Sequence, residues 1–168
     1  AKSMPFEELK RNALMLAKSA AILNMPVVLT SSMEGYAQGP LVEELKTILP
    51  TEFEARIKRL GIVNAMDDEN FAAAVKATGR KKLIIAGVTN DVCTVYPALT
   101  LVAAGFDVQV VADAGASPTK MADDIALRRM DKNGITLTTT NQLIAELAGS
   151  WATPQGEKLV HVLMESFQ

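Results

Sequence analysis

The sequence predicts an α/β protein with an open parallel sheet that is covered by helices on both faces. Short apolar runs, typical of strands buried on both faces, alternate along the chain with longer segments of helical periodicity. Hydrophobic residues make up 49% of the 168 residues and charged residues 21%. This composition supports one core of ordinary size but not two. We therefore interpret residues 1–168 as a single domain.

Four apolar runs are predicted to be parallel strands, because each is short and lies between helical segments. They cover residues 27–30, 83–87, 108–111 and 135–138. The predicted helices cover residues 5–23, 71–78, 92–104, 117–132 and 141–147. Ser117 and Pro118 are interpreted as the N-cap and the first-turn proline of the fourth of these helices.

Residues 31–61 interrupt the alternation of strands and helices with several glycines and prolines. We expect a long loop there, with one short helix over residues 41–49. Ligands of open parallel sheets bind beyond the carboxyl ends of the strands, so this segment is predicted to form a wall of the pocket. Residues 153–168 are predicted to be an appended helical tail that packs on the domain or on a neighbouring subunit.

Composition argues against several classes of partner. The formal net charge is -2, and no long Lys/Arg run indicates binding to nucleic acid or to an anionic membrane. No apolar stretch approaches the roughly 18 residues that a membrane-spanning helix needs, and the N-terminus does not have a signal-peptide pattern. We expect a soluble, cytoplasmic protein with a small-molecule substrate. A single cysteine agrees with a reducing compartment.

The only cysteine, Cys93, follows an apolar strand and a polar turn, at the start of a predicted helix. Unpaired N–H groups and the helix dipole at such a position stabilise a thiolate, and the same donors can form an oxyanion hole. The alternative interpretation is a small buried apolar residue, because most isolated cysteines are of that kind. Asp91, two residues earlier, opposes thiolate formation, so a basic partner would be needed.

Other catalytic patterns find little support in the sequence. The only histidine, His161, lies among apolar residues of the tail and is interpreted as a packing or interface residue, which argues against a Cys-His or Ser-His mechanism. We find no Cys/His cluster for zinc, no P-loop and no Gly-rich dinucleotide motif. The prediction is that the protein uses no metal and no cofactor.

Several segments together resemble one enzyme family. Residues 84–93 read Ile-Ile-Ala-Gly-Val-Thr-Asn-Asp-Val-Cys, and Gly-Phe-Asp-Val and Val-Ala-Asp-Ala follow at 105–108 and 111–114. These segments resemble the nucleophile region of the isochorismatase-like cysteine hydrolases, whose fold is Rossmann-like. Further similarity to the YcaC-type branch lies in residues 26–30, 39–45, 64–71 and 75–79, so that the resemblance extends to about Trp151.

This resemblance implies a mechanism in which an aspartate, a basic residue and a cysteine open amide or related bonds through a covalent intermediate. Cys93 matches the nucleophile, and the N–H groups of Thr89 and Cys93 match the oxyanion hole, next to a cis peptide between Val88 and Thr89. Arg59 is the better match to the basic residue, and Lys58 is the reserve candidate. The alternative is that Arg56, Lys58 and Arg59 form a solvated loop cluster.

The match is incomplete at the catalytic aspartate. In the family this residue ends a first strand that lies centrally in the sheet, whereas Ala1 to Pro5 already correspond to the entry of the first helix. The expectation is therefore a fold that lacks this strand. Either the natural protein has additional residues, or this is a divergent variant with another strand arrangement. The first alternative is favoured, because the other pocket segments are retained.

The resemblance also bears on substrate and assembly. A nucleophilic cysteine indicates a carbonyl substrate such as an amide, carbamoyl compound or ester, and the absence of histidine and aspartate from residues 31–50 indicates no catalytic metal. A homo-oligomer is implied. Candidate pocket residues are Met33, Tyr36, Asn64 and Met66. For Met33, Tyr36 and Met66 core packing is an equal alternative. Two competing functions remain: a catalytically idle binding or scaffold subunit, and a Rossmann-type cofactor binder supported by fold class alone.

Overall fold

The computed structural model describes residues 1–168 and contains eight α-helices and five strands. The helices are α1 (Phe6–Ile22), α2 (Glu44–Ile48), α3 (Pro50–Glu54), α4 (Glu69–Ala77), α5 (Val95–Ala103), α6 (Lys120–Lys132), α7 (Thr140–Ala148) and α8 (Pro154–Leu163). The strands are β1 (Thr30–Ser32), β2 (Ile57–Arg59), β3 (Lys82–Ile85), β4 (Asp107–Val111) and β5 (Thr136–Thr138). None of the helices is long and apolar enough to cross a membrane.

All strand pairs are parallel, which confirms the predicted fold class. One sheet consists of β1 and β2, and the other has the order β3-β4-β5. The first strand begins at Thr30 and thus lies later than the predicted residues 27–30. The carbonyl of Leu29 still accepts a hydrogen bond from the Ile57 N–H, so the chain already runs beside β2 before the ladder begins.

The prediction of a loop over residues 31–61 was incomplete, because this segment contains β2 and α3 as well as the predicted helix. The strand β2 is only Ile57, Lys58 and Arg59, so two of its three side chains are charged. Such a strand has no apolar run from which it can be recognised. Its pairing with β1 therefore depends on tertiary structure rather than on local pattern.

Helices cover both faces of the larger sheet. Successive side chains of a strand point to opposite faces, and in β4 Val110 belongs to a cluster with α5 and α6, whereas Val111 packs with Leu143 of α7. Both valines are fully buried. The first cluster also contains Val75, Val95, Ala98, Leu101, Val108, Met130 and Ile135. The architecture thus agrees with the alternation of strands and helices in the sequence.

The C-terminal tail packs on its own domain, which was one of the two predicted alternatives. Leu159 and Val162 of α8 join Met15 of α1 and Ile144 of α7 in a separate buried cluster. His161 lies on the exposed side of α8, with its Nδ1 2.6 Å from the Glu157 carbonyl oxygen. The histidine therefore makes a local contact within its helix.

Ser117 is not the N-cap of α6, contrary to the prediction. Thr119 has this role, because its Oγ1 accepts a hydrogen bond of 3.1 Å from the Ala122 N–H. Ser117 is fully buried, and its hydroxyl donates to Asp123 instead. The serine-proline pair thus has a tertiary contact that a local capping pattern does not reveal.

The two sheets are not joined to each other by strand pairing. β1 pairs only with β2, and β3 pairs only with β4, so each of these strands has one edge without a partner strand. Ile84 in β3 is 37% exposed and Val88 beyond it is 53% exposed, although the sequence of β3 is typical of a strand covered on both faces. The separation lies where the family resemblance places a further central strand.

Candidate active site

Cys93 lies in the connection between β3 and α5, at the carboxyl end of a parallel strand. Residues Asn90–Thr94 form one turn of π-helix that leads directly into α5, where the sequence predicts an ordinary α-helical start. The side chain is partly exposed, and its thiol forms neither a disulfide nor a hydrogen bond. Single π-turns are frequent at functional sites. This environment leaves the sulfur free for chemistry.

The segment before Cys93 brings an unbonded backbone donor, the Thr89 N–H, to the same turn. The Val88–Thr89 peptide is cis. The Thr89 carbonyl accepts a hydrogen bond of 3.1 Å from the Thr94 N–H, but the Thr89 N–H has no acceptor. A free N–H at the start of the turn that carries a thiol is the kind of donor that an oxyanion hole requires.

Arg59, at the end of β2, is a buried cation. It is only 5% exposed, and it forms no salt bridge with any carboxylate. Its Nε donates to Thr30 Oγ1 at 3.1 Å and its Nη1 donates to the Ile62 carbonyl at 2.8 Å. A buried guanidinium without an anionic partner is unfavourable for folding. Such a residue is typical of a site that receives negative charge from another group.

Lys58 points away from Arg59, because the two are neighbours in a strand. It is exposed and lies near Glu34, whose negative charge it helps to stabilise. Glu34 accepts hydrogen bonds from Arg56 Nε at 2.7 Å and from Ser31 Oγ at 2.6 Å. The Arg56 and Ser31 hydrogen bonds lower the pKa of Glu34 to about 2. The two sequence candidates for the basic residue therefore differ in burial and in surroundings.

The Glu34 contacts predict a pH dependence of stability. Because the pKa of Glu34 is about 2 in the folded chain against 4.5 ordinarily, its stabilising effect is complete above the ordinary value and is lost as pH falls through 4.5 toward 2. We expect the free energy of unfolding, measured by urea titration at pH 7, 4.5 and 3, to decline on acidification. The decline should be smaller in Glu34→Gln. An equal decline in both chains would assign the acid sensitivity to other carboxylates.

The four candidate pocket residues have different surroundings. Tyr36 is 72% exposed, and Met33, whose φ is 51°, packs beside Gly61. Met66 packs against the main buried cluster. Asn64 uses both ends of its amide, because Oδ1 accepts from the Met66 N–H and Nδ2 donates to Thr100 Oγ1. Their contact with a substrate remains a prediction.

A buried polar network lies beneath the Cys93 turn and was not predicted from sequence. Asn90 is fully buried, and its Nδ2 donates to Asp123 Oδ1 at 3.0 Å. The same oxygen accepts a hydrogen bond of 2.7 Å from Ser117 Oγ. Asn90 lies inside the motif around Cys93, which is a sequence signal, whereas nothing local distinguishes Asp123 from the exposed Asp124 beside it.

Metal ligands are not gathered at this site or elsewhere in the chain. No group of three or more His, Cys, Asp or Glu side chains is arranged to hold an ion. The polar groups in the Cys93 turn and directly beneath it are instead backbone N–H groups, the Asn90 amide and the carboxylates of Asp91 and Asp123. Of these, the unbonded N–H of Thr89 is suited to stabilise negative charge on an organic substrate.

The fold and the position of Cys93 define a parallel α/β protein with a candidate nucleophile at a strand-to-helix turn. A family model described as "Isochorismatase domain" matches residues 1–142, and the chain belongs to this family. It is 42% identical over 145 residues to the probable hydrolase YcaC of Escherichia coli, covering 86% of this chain and 69% of that protein. The chain is therefore an isochorismatase-family hydrolase, as the resemblance in sequence implied.

Two solved structures agree with this assignment. YcaC from Pseudomonas aeruginosa, with hexane-2,5-diol and covalent acrylamide, has a TM-score of 0.90 at 38% identity, covering 98% of this chain and 81% of that one. The YcaC structure from Escherichia coli, described as an octameric hydrolase of unknown specificity, has a TM-score of 0.89 at 39% identity. The match covers 97% of this chain and 78% of the Escherichia coli chain.

Proposed function

We propose that the protein is a cofactor-free cysteine hydrolase that cleaves a small amide, carbamoyl compound or ester through a covalent Cys93 intermediate. The observation that carries this proposal is the partly exposed, unbonded thiol in the π-turn, next to the free N–H of Thr89. The covalent acrylamide in the Pseudomonas relative supports it, because acrylamide is an electrophile with which thiolates react.

In the proposed reaction the Cys93 thiolate attacks the substrate carbonyl carbon and forms a tetrahedral oxyanion. The N–H groups of Thr89 and Cys93 donate hydrogen bonds to this oxyanion. Its collapse breaks the bond to the amine or alcohol, which leaves with a proton, and a thioester remains on Cys93. Water then attacks the thioester carbonyl and releases the acid and the free thiol.

Arg59 is the proposed basic residue of this mechanism. Its buried charge has no carboxylate partner, so a thiolate, an oxyanion or a family-type aspartate would be its natural counterpart. An arginine stays protonated, so it stabilises negative charge but does not shuttle protons. The proton of the thiol therefore needs another acceptor, which the family resemblance identifies as an aspartate on a central strand.

The proposal extends to assembly and surroundings. The octameric state of the Escherichia coli relative supports a homo-oligomer. Several large apolar side chains at the surface offer contact area for other subunits: Leu60, Met121, Ile125, Trp151 and Phe167. A reactive single thiol is best maintained in a reducing compartment, and we propose the cytoplasm.

The test of the nucleophile uses the fact that the chain has one thiol. We expect iodoacetamide to alkylate native Cys93 at pH 6 about tenfold faster than the same cysteine in guanidinium-unfolded chain, because the folded site stabilises the thiolate. The unfolded chain is the matched control, and mass spectrometry confirms one adduct. A native thiol that reacts no faster than the unfolded one would overturn the proposal and favour the idle scaffold function.

A further inference from the structure

The Cys93 turn is held from below by residues that are distant in sequence. Asn90 donates from its backbone N–H to the Ala116 carbonyl at 2.9 Å, and from Nδ2 to Asp123 Oδ1 at 3.0 Å and to the Ala112 carbonyl at 3.3 Å. The side chain is fully buried. Three hydrogen bonds to three different residues thus fix one position in the turn.

Asp123 is the charged member of this group. Its Oδ1 accepts from both Asn90 Nδ2 and Ser117 Oγ, and hydrogen bonds to a carboxylate are the stronger kind. Asp123 is itself held by α6, where its N–H donates to the Thr119 carbonyl at 3.1 Å. The helix therefore offers a rigid base to which the turn is attached.

Asn90 is also close-packed against the chain on its other side. Its Oδ1 is buried without a donor and occupies the space that a side chain at Gly115 would fill, 2.1 Å from the ideal Cβ position. The amide therefore has no room to rotate freely. Since Asn90 directly follows Thr89 and precedes Cys93 by three residues, any shift of Asn90 displaces both the free N–H and the thiol.

We propose that Asp123 is a positioning residue, which acts through Asn90 to orient the turn that carries the nucleophile. This inference rests on the proposed function of Cys93. Asp123 does not touch the substrate; its carboxylate fixes the Asn90 amide, and the amide fixes the π-turn. Sub-ångström placement of such groups matters, because a misplacement of about 1 Å can reduce a rate about 100-fold.

The direction in which Cys93 reactivity changes when Asp123 is removed distinguishes a positioning role from a purely electrostatic one. Removing a nearby carboxylate would, through charge alone, favour the Cys93 thiolate and increase its reactivity at low pH. Loss of positioning has the opposite effect, because the thiol leaves the donors that stabilise its anion. A role in stability alone would change the unfolding temperature but leave the pH dependence of alkylation unaltered.

The experiment compares five variants by their iodoacetamide rates at pH 6 and pH 9 and by thermal unfolding. We expect Asn90→Ala and Asp123→Ala each to lower the pH 6 to pH 9 rate ratio about tenfold. In the double variant this rate ratio should fall by about the same factor as in each single variant, and not by the product of the two factors, because both residues act through one contact. The control is Asp124→Ala, an exposed neighbour whose ion pair with Lys120 lies on the solvent side of α6.

Each outcome decides the inference. The inference is overturned if the pH 6 to pH 9 rate ratio stays unchanged or rises in either single variant. It is also overturned if the double variant loses the product of the two single factors, or if Asp124→Ala loses as much as Asp123→Ala. If Asp123→Ala does not fold, the rate ratio of Asn90→Ala alone tests the inference. This substitution is suitable because it removes no charge. Asp123→Asn keeps an acceptor oxygen and should restore most of the wild-type ratio. If the wild-type thiol reacts at pH 6 no faster than in the unfolded chain, the proposed function itself is refuted. If the wild-type thiol reacts faster but the variants have the same rate ratio as the wild type, only the positioning role is refuted.

Discussion

Gly115→Ala is expected to destabilise the fold strongly and to reduce the reactivity of Cys93. A Cβ at this position would lie 2.1 Å from Asn90 Oδ1 and 2.3 Å from the Gly87 carbonyl oxygen, so the turn or the backbone has to move. Overpacking in a close-packed interior costs up to about 3 kcal/mol and sometimes more. We expect a loss of about this size in the free energy of unfolding, measured by urea titration.

Gly35→Ala is the matched control for this substitution. No heavy atom lies within 4 Å of the added Cβ, and Gly35 is exposed without a positive φ. Its stability should change by no more than about 0.5 kcal/mol. The iodoacetamide rate at pH 6 should fall in Gly115→Ala and stay unchanged in Gly35→Ala. Equal stabilities of the two variants would show that the contact between Gly115 and Asn90 is not tight.

The second large effect is expected at Arg59. If this buried cation stabilises the thiolate, Arg59→Gln should lower the alkylation rate of Cys93 at pH 6 about tenfold, since a nearby opposite charge changes ionisation by at least that factor. Lys58→Gln should change the rate less than about twofold, because solvent and salt screen an exposed charge. Both variants are checked for folding by circular dichroism.

This pair of substitutions also decides between the two basic candidates. A tenfold loss in Lys58→Gln with an unchanged Arg59→Gln would assign the role to Lys58. Unchanged rates in both would mean that neither cation acts on the thiol, and the buried charge of Arg59 would then require another counterpart. High salt should weaken an effect of Lys58 more than an effect of Arg59.

Part of the fold could be predicted because β3 and β4 contain local apolar runs. The strand β5 is Thr-Leu-Thr and directly follows the buried Ile135, and the parallel order of the three strands follows from the intervening helices. The strand β2 was not predicted, because two of its three residues are charged and its strand structure depends on pairing with β1. The burial of Arg59 is likewise a tertiary property, because the neighbouring Lys58 has similar chemistry but is exposed.

The candidate site likewise has a local part that could be predicted from sequence and a tertiary part that could not. The Cys93 turn has a continuous motif, so its position between β3 and α5 could be predicted from about ten residues. The contact between Asn90 and Asp123 joins residues 33 apart, and the hydroxyl of Ser117 belongs to it rather than to a helix cap. Local patterns do not identify contacts of this kind, because either side chain alone is equally suited to an exposed position.

The division of the strands into two sheets has a consequence for how the molecule loses its structure. No ladder of hydrogen bonds couples β1 and β2 to β3, β4 and β5, so the smaller sheet can open without breaking the larger one. Its strands are three residues long, whereas β4 is five residues long and contributes three fully buried valines. Such segments open at lower free energy than a central core. In these 168 residues we therefore expect the backbone amides of β2, which includes Arg59, to exchange with solvent deuterium faster than those of β4.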